Sequence, residues 1–106
     1  MPVSYTHLDV YKRQATTYYD PLVGAGIGAL LRPNTRLVYL ESPGSLSFEM
    51  QDTSAIAKAA HAEGALVLMD NTWATPLYFR PLDHGVDLAI QAGTKYICLL
   101  YTSRCV

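Results

Sequence analysis

The chain has 106 residues, of which 50% are hydrophobic and only 16% charged, with a formal net charge of −1. That length is one domain or a piece of one, and a charged share well below the roughly 25% of soluble domains is too small to cover a compact globule, which points to a segment of a larger buried body. A charge near zero, with no basic cluster beyond Lys12-Arg13, argues against the electrostatic footprint of a nucleic-acid binder.

The longest apolar run, Leu22 to Leu31, falls short of the about 20 residues that a membrane span needs, so no membrane partner is expected. Met1 to Gln14 carries Asp9 where the apolar stretch of a signal peptide belongs and its basic pair at the end, so nothing there directs secretion. Both cysteines, Cys98 and Cys105, lie at the far end; residues 1–97 are cysteine-free, which suits a cytoplasmic protein. Across 1–14 and again across 98–106 neither period 2 nor period 3.6 orders the apolar residues, and the strings PVSYTHLDVYKRQ and CLLYTSRCV resemble translated sequencing-adaptor read-through. Both flanks are therefore expected to be non-native, with residues 15–97 as the domain. That segment holds eight acids against five bases.

In chain order, the turn signal Asp20-Pro21 precedes PLVGAGIGALL, which reads as a short helix with Pro21 at its first position, ending near Arg32-Pro33-Asn34. Leu37 to Leu40 and Leu66 to Met69 are continuous apolar runs, the pattern of central parallel strands covered on both faces. Between them Asp52, Thr53 and Ser54 offer N-cap oxygens, Ile56, Ala59 and Ala60 form an apolar stripe, and Gly64 sits where a C′ residue belongs. This is a βαβ unit. A turn at Gly85 then leads to a third strand over Asp87 to Gln91, and the class is α/β with a mainly parallel sheet.

Ligands of open parallel sheets bind outside the carboxyl ends of the strands. Glu41-Ser42-Pro43-Gly44-Ser45, Asp70-Asn71-Thr72-Trp73 and Gly93-Thr94-Lys95-Tyr96 fall at those three ends, and right-handed crossovers bring them to one edge. A carboxylate, a lysine and a hydroxyl would then share a crevice, the functions needed to hold an aldehyde cofactor with a basic ring nitrogen and a phosphate. Lys95 taken alone reads as a solvated surface cation; beyond an apolar strand it reads as a lysine that loses its proton readily, as imine chemistry requires. Asp70 is either a turn acceptor or the group that keeps a pyridine nitrogen protonated. Trp73 is either a core aromatic or a pocket wall. Gly24-x-Gly26-x-Gly28 lacks the preceding strand that a dinucleotide fingerprint requires, and His61 and His84 have no partner at metal-ligand spacing, so no metal site is expected.

LESPGS (40–45), DNTWATP (70–76) and IQAGTKY (90–96), in this order and spacing, resemble the Cys/Met-metabolism family of pyridoxal-phosphate enzymes over about Thr16 to Ile97. The resemblance implies part of the large domain of an aminotransferase-like, fold type I enzyme. It implies Lys95 as the catalytic lysine that binds the cofactor aldehyde, Asp70 facing the ring nitrogen, Thr72 against the ring, Thr94 near the phosphate, and Ser45 and Trp73 in the substrate pocket. Members that eliminate or replace at Cγ usually carry Asn-Pro where this chain has Ser45-Leu46, Phe where it has Trp73 and Ser where it has Ala92. These departures favour the β-eliminating carbon–sulfur lyases, which cleave the amino acid cystathionine for methionine biosynthesis; the Ala92 departure also removes one phosphate donor. The family further implies a homotetramer. It also implies a glycine-rich phosphate loop, a cofactor-stacking tyrosine, a Tyr and Arg from a neighbouring subunit and a distal carboxylate-binding arginine, none with a counterpart here, so this chain alone is expected to be inactive. The alternative from another class is a small nucleotide-binding or structural α/β module in which Lys95 is incidental.

Overall fold

The computed structural model describes residues 15–97; the sequence expectations for 1–14 and 98–106 lie outside the described residues. Three parallel strands, β1 (Leu37–Glu41), β2 (Leu66–Asp70) and β3 (Leu88–Ile90), form one sheet in that order. Helix α1 (Thr53–Ala62) connects the first two, giving the expected βαβ unit. A short helix α2 (Thr75–Tyr78) and a 3-10 turn (Pro81–His84) lead into β3.

The ends of α1 follow from its sequence. The Asp52 side chain accepts the Ala55 N–H at 3.0 Å, satisfying a donor that the first turn leaves open. At the other end Gly64 takes φ +75°, its N–H donates to the His61 carbonyl at 3.0 Å, and the Ala65 N–H reaches back to the Ala60 carbonyl at 3.0 Å. Those two bonds are a Schellman closure, which favours glycine at the left-handed position. From there the chain turns directly into β2.

The helix buries Ile56, Ala57 and Ala60 against Val38, Leu40, Val67 and Met69, with Ile27 and Val86 completing the core. Leu40, Ile56 and Val67 are wholly buried, and each such side chain contributes about 1.5–3 kcal/mol through removal of apolar surface from water. Gly85, at φ +88°, lies so close to α1 that a Cβ there would stand 3.1 Å from the Ala57 Cβ. A glycine is needed both for the turn and for the approach, and it sets the start of β3 against the helix. Asp87 adds a clip: its carboxylate accepts the Val67 N–H at 2.7 Å and contacts the His61 ring Nε2 at 2.9 Å.

Three expectations are corrected. The segment after Asp20 is a 3-10 helix over Gly24–Leu30, and Pro21 stands in the turn before it rather than at a first helical position. The Asp20 carboxylate accepts the Leu22 N–H at 2.8 Å, which fixes that turn, and three glycines weaken a longer α-helix. Among the described residues strand β1 lies at the edge of the sheet, with only β2 between neighbours. Nor are the strands covered on both faces: Leu37, Tyr39, Leu66, Leu88 and Ile90 are exposed, because α1 covers one face and the described residues supply little to the other. No helix among the described residues is long and apolar enough to cross a membrane.

Candidate functional site

Register decides what meets at the carboxyl edge. Glu41 pairs with Asp70 across β1 and β2, and Asp70 pairs with Ile90 across β2 and β3, so the three strand ends finish in one row. Side chains alternate between faces, which puts Glu41 and Asp70 on the face opposite α1, in line with Leu37, Tyr39, Leu66 and Leu68.

Past that row the loops close on one another. Asp70 Oδ1 accepts the Thr72 N–H at 2.9 Å, curling the chain directly after β2. The buried Thr72 hydroxyl accepts the Ala92 N–H at 2.9 Å, and the Thr72 carbonyl accepts the Gln91 side-chain amide at 3.3 Å, so the loop after β2 holds the loop after β3. The Lys95 N–H in turn donates to the Ala92 carbonyl at 3.4 Å. Thr72 thus links the carboxylate to the lysine segment through Ala92.

A crevice of about 200 Å³ results, lined by Glu41, Ser45, Asp70, Thr72, Trp73, Lys95 and Tyr96. Five of the residues expected at the site, Ser45, Asp70, Thr72, Trp73 and Lys95, therefore share one wall. Thr94 is exposed and is not part of it. Trp73 also borders a second, apolar cavity of about 320 Å³ with Met50, Met69, Tyr78 and Phe79, and the Phe48 ring meets it edge-on with centroids 6.3 Å apart. Phe48 (φ +57°), in the loop after β1, and Thr75 (φ +60°), the first residue of α2, hold left-handed backbone near Trp73, a conformation that side-chain-bearing residues adopt at a cost.

The residues suit pyridoxal phosphate on chemical grounds. A lysine amine can combine with an aldehyde, a carboxylate can hold a ring N–H, and a flat aromatic wall lies beside both. Gly24, Gly26 and Gly28, by contrast, follow a turn rather than a strand, which removes the structural context of a dinucleotide fingerprint.

Residues 5–98 match the model of the family described as Cys/Met metabolism PLP-dependent enzyme. The chain belongs to this family. A Rhizobium johnstonii protein whose name marks it as a candidate cystathionine beta-lyase is 66% identical over 79 residues, which cover 74% of this chain and 20% of that protein. The cystathionine beta-lyase of Escherichia coli is 48% identical over 84 residues, covering 77% and 21% respectively. Among solved structures, the apo form of a methionine gamma lyase from Micromonospora echinospora superposes with a TM-score of 0.80 at 31% identity, over 87% of this chain and 26% of that one. The chain spans about a fifth to a quarter of the length of the relatives it matches. Its parallel sheet and helices are a partial region of a fold type I enzyme.

In this member of the Cys/Met-metabolism family, sequence reasoning placed Glu41 in a strand-end cluster but gave it no role, and it did not single out Gln51. Glu41 is the last residue of β1, and two-residue alternation from Tyr39 would have put it on the face of Asp70. Gln51 carried no such signal. Its side chain donates to the Glu41 carbonyl at 3.0 Å and accepts the Tyr19 hydroxyl at 2.8 Å, and its N–H donates to Ser42 Oγ at 3.0 Å. Burial pushes the Tyr19 phenol up to about 12, with the hydrogen bond to Gln51 working the other way, so it remains a donor at neutral pH.

Proposed function

We propose that this chain is the lysine-bearing segment of a pyridoxal-phosphate-dependent carbon–sulfur β-lyase, which cleaves cystathionine with water to homocysteine, pyruvate and ammonia. The observation that carries this reading is the convergence of Asp70, Thr72 and Lys95, from two neighbouring strand-end loops, on one crevice. Lys95 would bind the cofactor aldehyde and, once released as a neutral amine, take the proton from the substrate Cα. Asp70 would hold the proton on the ring nitrogen, Thr72 would lie against the ring and Thr94 near the phosphate. Pyridoxal phosphate, when bound, supplies the electron sink. Ser45 and Trp73 would border the substrate.

The β-eliminating assignment rests on Ser45-Leu46, Trp73 and Ala92, which depart from the pattern of the γ-type members, and it agrees with the names of the two sequence relatives above. The γ-lyases and cystathionine γ-synthase are the second reading, supported by the methionine gamma lyase whose structure superposes on this chain. Purified complete protein carrying this segment separates them. Pyruvate and homocysteine released from cystathionine, with no methanethiol from methionine, is the expected result; 2-oxobutyrate as the keto acid would assign the γ-type chemistry. As a small-molecule enzyme of amino-acid metabolism, the complete protein would work in the cytoplasm as a homotetramer.

A further inference from the structure

The loops at the carboxyl edge fall into two bonded groups. Thr72 ties the loop after β2 to the loop after β3, and so Asp70 to the segment of Lys95. Among the described residues no hydrogen bond joins either of them to the loop of residues 42–50, which brings Ser45 to the crevice; there the Phe48 ring meets Trp73 edge-on without such a bond. That loop is closed at its base by Gln51. The Gln51 side-chain Nε2 donates to the Glu41 carbonyl at 3.0 Å and its backbone N–H donates to Ser42 Oγ at 3.0 Å, so Gln51 grips the chain where the loop leaves β1. Further within, the Gly44 N–H donates to the Glu49 carbonyl at 3.0 Å and the Phe48 N–H to the Gly44 carbonyl at 3.1 Å.

Gln51 is itself held from two sides. The Thr53 N–H donates to its carbonyl at 3.0 Å at the start of α1, and the Tyr19 hydroxyl donates to its Oε1 at 2.8 Å. A primary amide carries both donors and an acceptor, a backbone carbonyl can only accept, and the Tyr19 phenol keeps its hydrogen, so a single orientation of the amide satisfies both neighbours. We propose that Gln51, which does not line the crevice, is a positioning residue for the substrate: it fixes the loop that presents Ser45 and so sets substrate affinity apart from the cofactor. This inference rests on the proposed function and adds to it a division of labour, in which the loop of residues 42–50 acts on the substrate while the two bonded loops hold the cofactor.

The test uses the complete, cofactor-loaded protein and its variants Gln51→Met, Gln51→Glu, Tyr19→Phe, Ser45→Ala and Gln51→Met combined with Ser45→Ala. Gln51→Met keeps the length of the side chain and removes both of its bonds; Gln51→Glu keeps the acceptor for Tyr19 but, ionised, has no hydrogen for the Glu41 carbonyl. Each should raise KM for cystathionine about three- to tenfold and leave kcat within about twofold, with the visible absorbance of the bound cofactor unchanged. Tyr19→Phe leaves the bond to the Glu41 carbonyl in place, so KM should rise less than in either Gln51 variant. On the Ser45→Ala background Gln51→Met should add no more than about a twofold rise in KM, because its effect passes through Ser45. An unchanged KM in both Gln51 variants, a fall in kcat with loss of the cofactor band, a Tyr19→Phe defect as large as that of Gln51→Met, or a fully additive rise on the Ser45→Ala background would overturn the proposal alone. Failure of the unaltered protein to take up pyridoxal phosphate or to release pyruvate from cystathionine would overturn the underlying function and this inference with it.

Discussion

The two faces of the sheet are built from alternate residues of the same strands and meet opposite fates. On one face Val38, Leu40, Val67 and Met69 are at most 4% exposed beneath α1, whereas on the other Leu37, Leu66 and Leu88 are about half exposed at 48%, 52% and 53%. The covered face stabilises the fold, and it carries no candidate site residue. The open face ends, at its carboxyl edge, in Glu41 and Asp70 and so in the crevice. Chemistry and packing are thus separated by a single residue of register, and a slip of one position in β2 would turn Asp70 into the core.

Truncation on the two faces should therefore differ most. Leu40→Ala, at a wholly buried position, should cost about 2–5 kcal/mol in urea unfolding of this chain. Leu66→Ala, half exposed on the open face, should stay within about 1 kcal/mol. Equal costs would mean that the open face is packed in solution. Gly85→Ala comes next, at about 1–3 kcal/mol, because a Cβ there meets the Ala57 Cβ at 3.1 Å in a left-handed backbone. A smaller Ala57→Gly effect on the Gly85→Ala background, restoring part of the loss, would localise the clash.

The smallest effect concerns acid. The hydrogen bond from His61, with a second from the Val67 N–H, holds the Asp87 carboxyl below its ordinary value of 3.8. A carboxyl whose value is lowered by folding contributes stability that is present above the unfolded value and lost as pH falls through the folded one. Unfolding midpoints should therefore drop as pH falls below about 4, and Asp87→Asn should flatten that part of the profile. A wild-type slope in the variant would show that other carboxylates set it.

Much of this architecture was legible in the sequence. The runs at Leu37 to Leu40 and Leu66 to Met69 marked β1 and β2 to within one residue at their carboxyl ends, because apolar runs of four residues bounded by polar or glycine residues have the length of strands and not of helices. The residue missed in each case was a carboxylate, Glu41 or Asp70, since an apolar run ends where a polar side chain begins although the ladder continues. Asp70 was still legible as a candidate site residue through its motif; Glu41 carried no such signal. The exposure of Leu37 and Leu66 was not legible, because a sequence records that a face is apolar and not whether the element covering it lies in the same stretch of chain. The 3-10 form of Gly24–Leu30 was missed for a local reason: it depends on the turn at Asp20 and on glycines whose helical cost outweighs a loose apolar spacing.

The central claim is that Asp70 and Lys95 serve one cofactor from neighbouring strand ends in different roles. Absorbance of pyridoxal phosphate bound to the complete protein tests it most directly, compared across the unaltered protein, Lys95→Ala and Asp70→Asn. Lys95→Ala should lose the visible band of the lysine-bound cofactor, because the lysine supplies the covalent link. Asp70→Asn should keep the cofactor while losing nearly all release of pyruvate from cystathionine, because an amide of similar shape fills the place without sustaining the ring charge. An unchanged band in Lys95→Ala, or full activity in Asp70→Asn, would contradict the assignment.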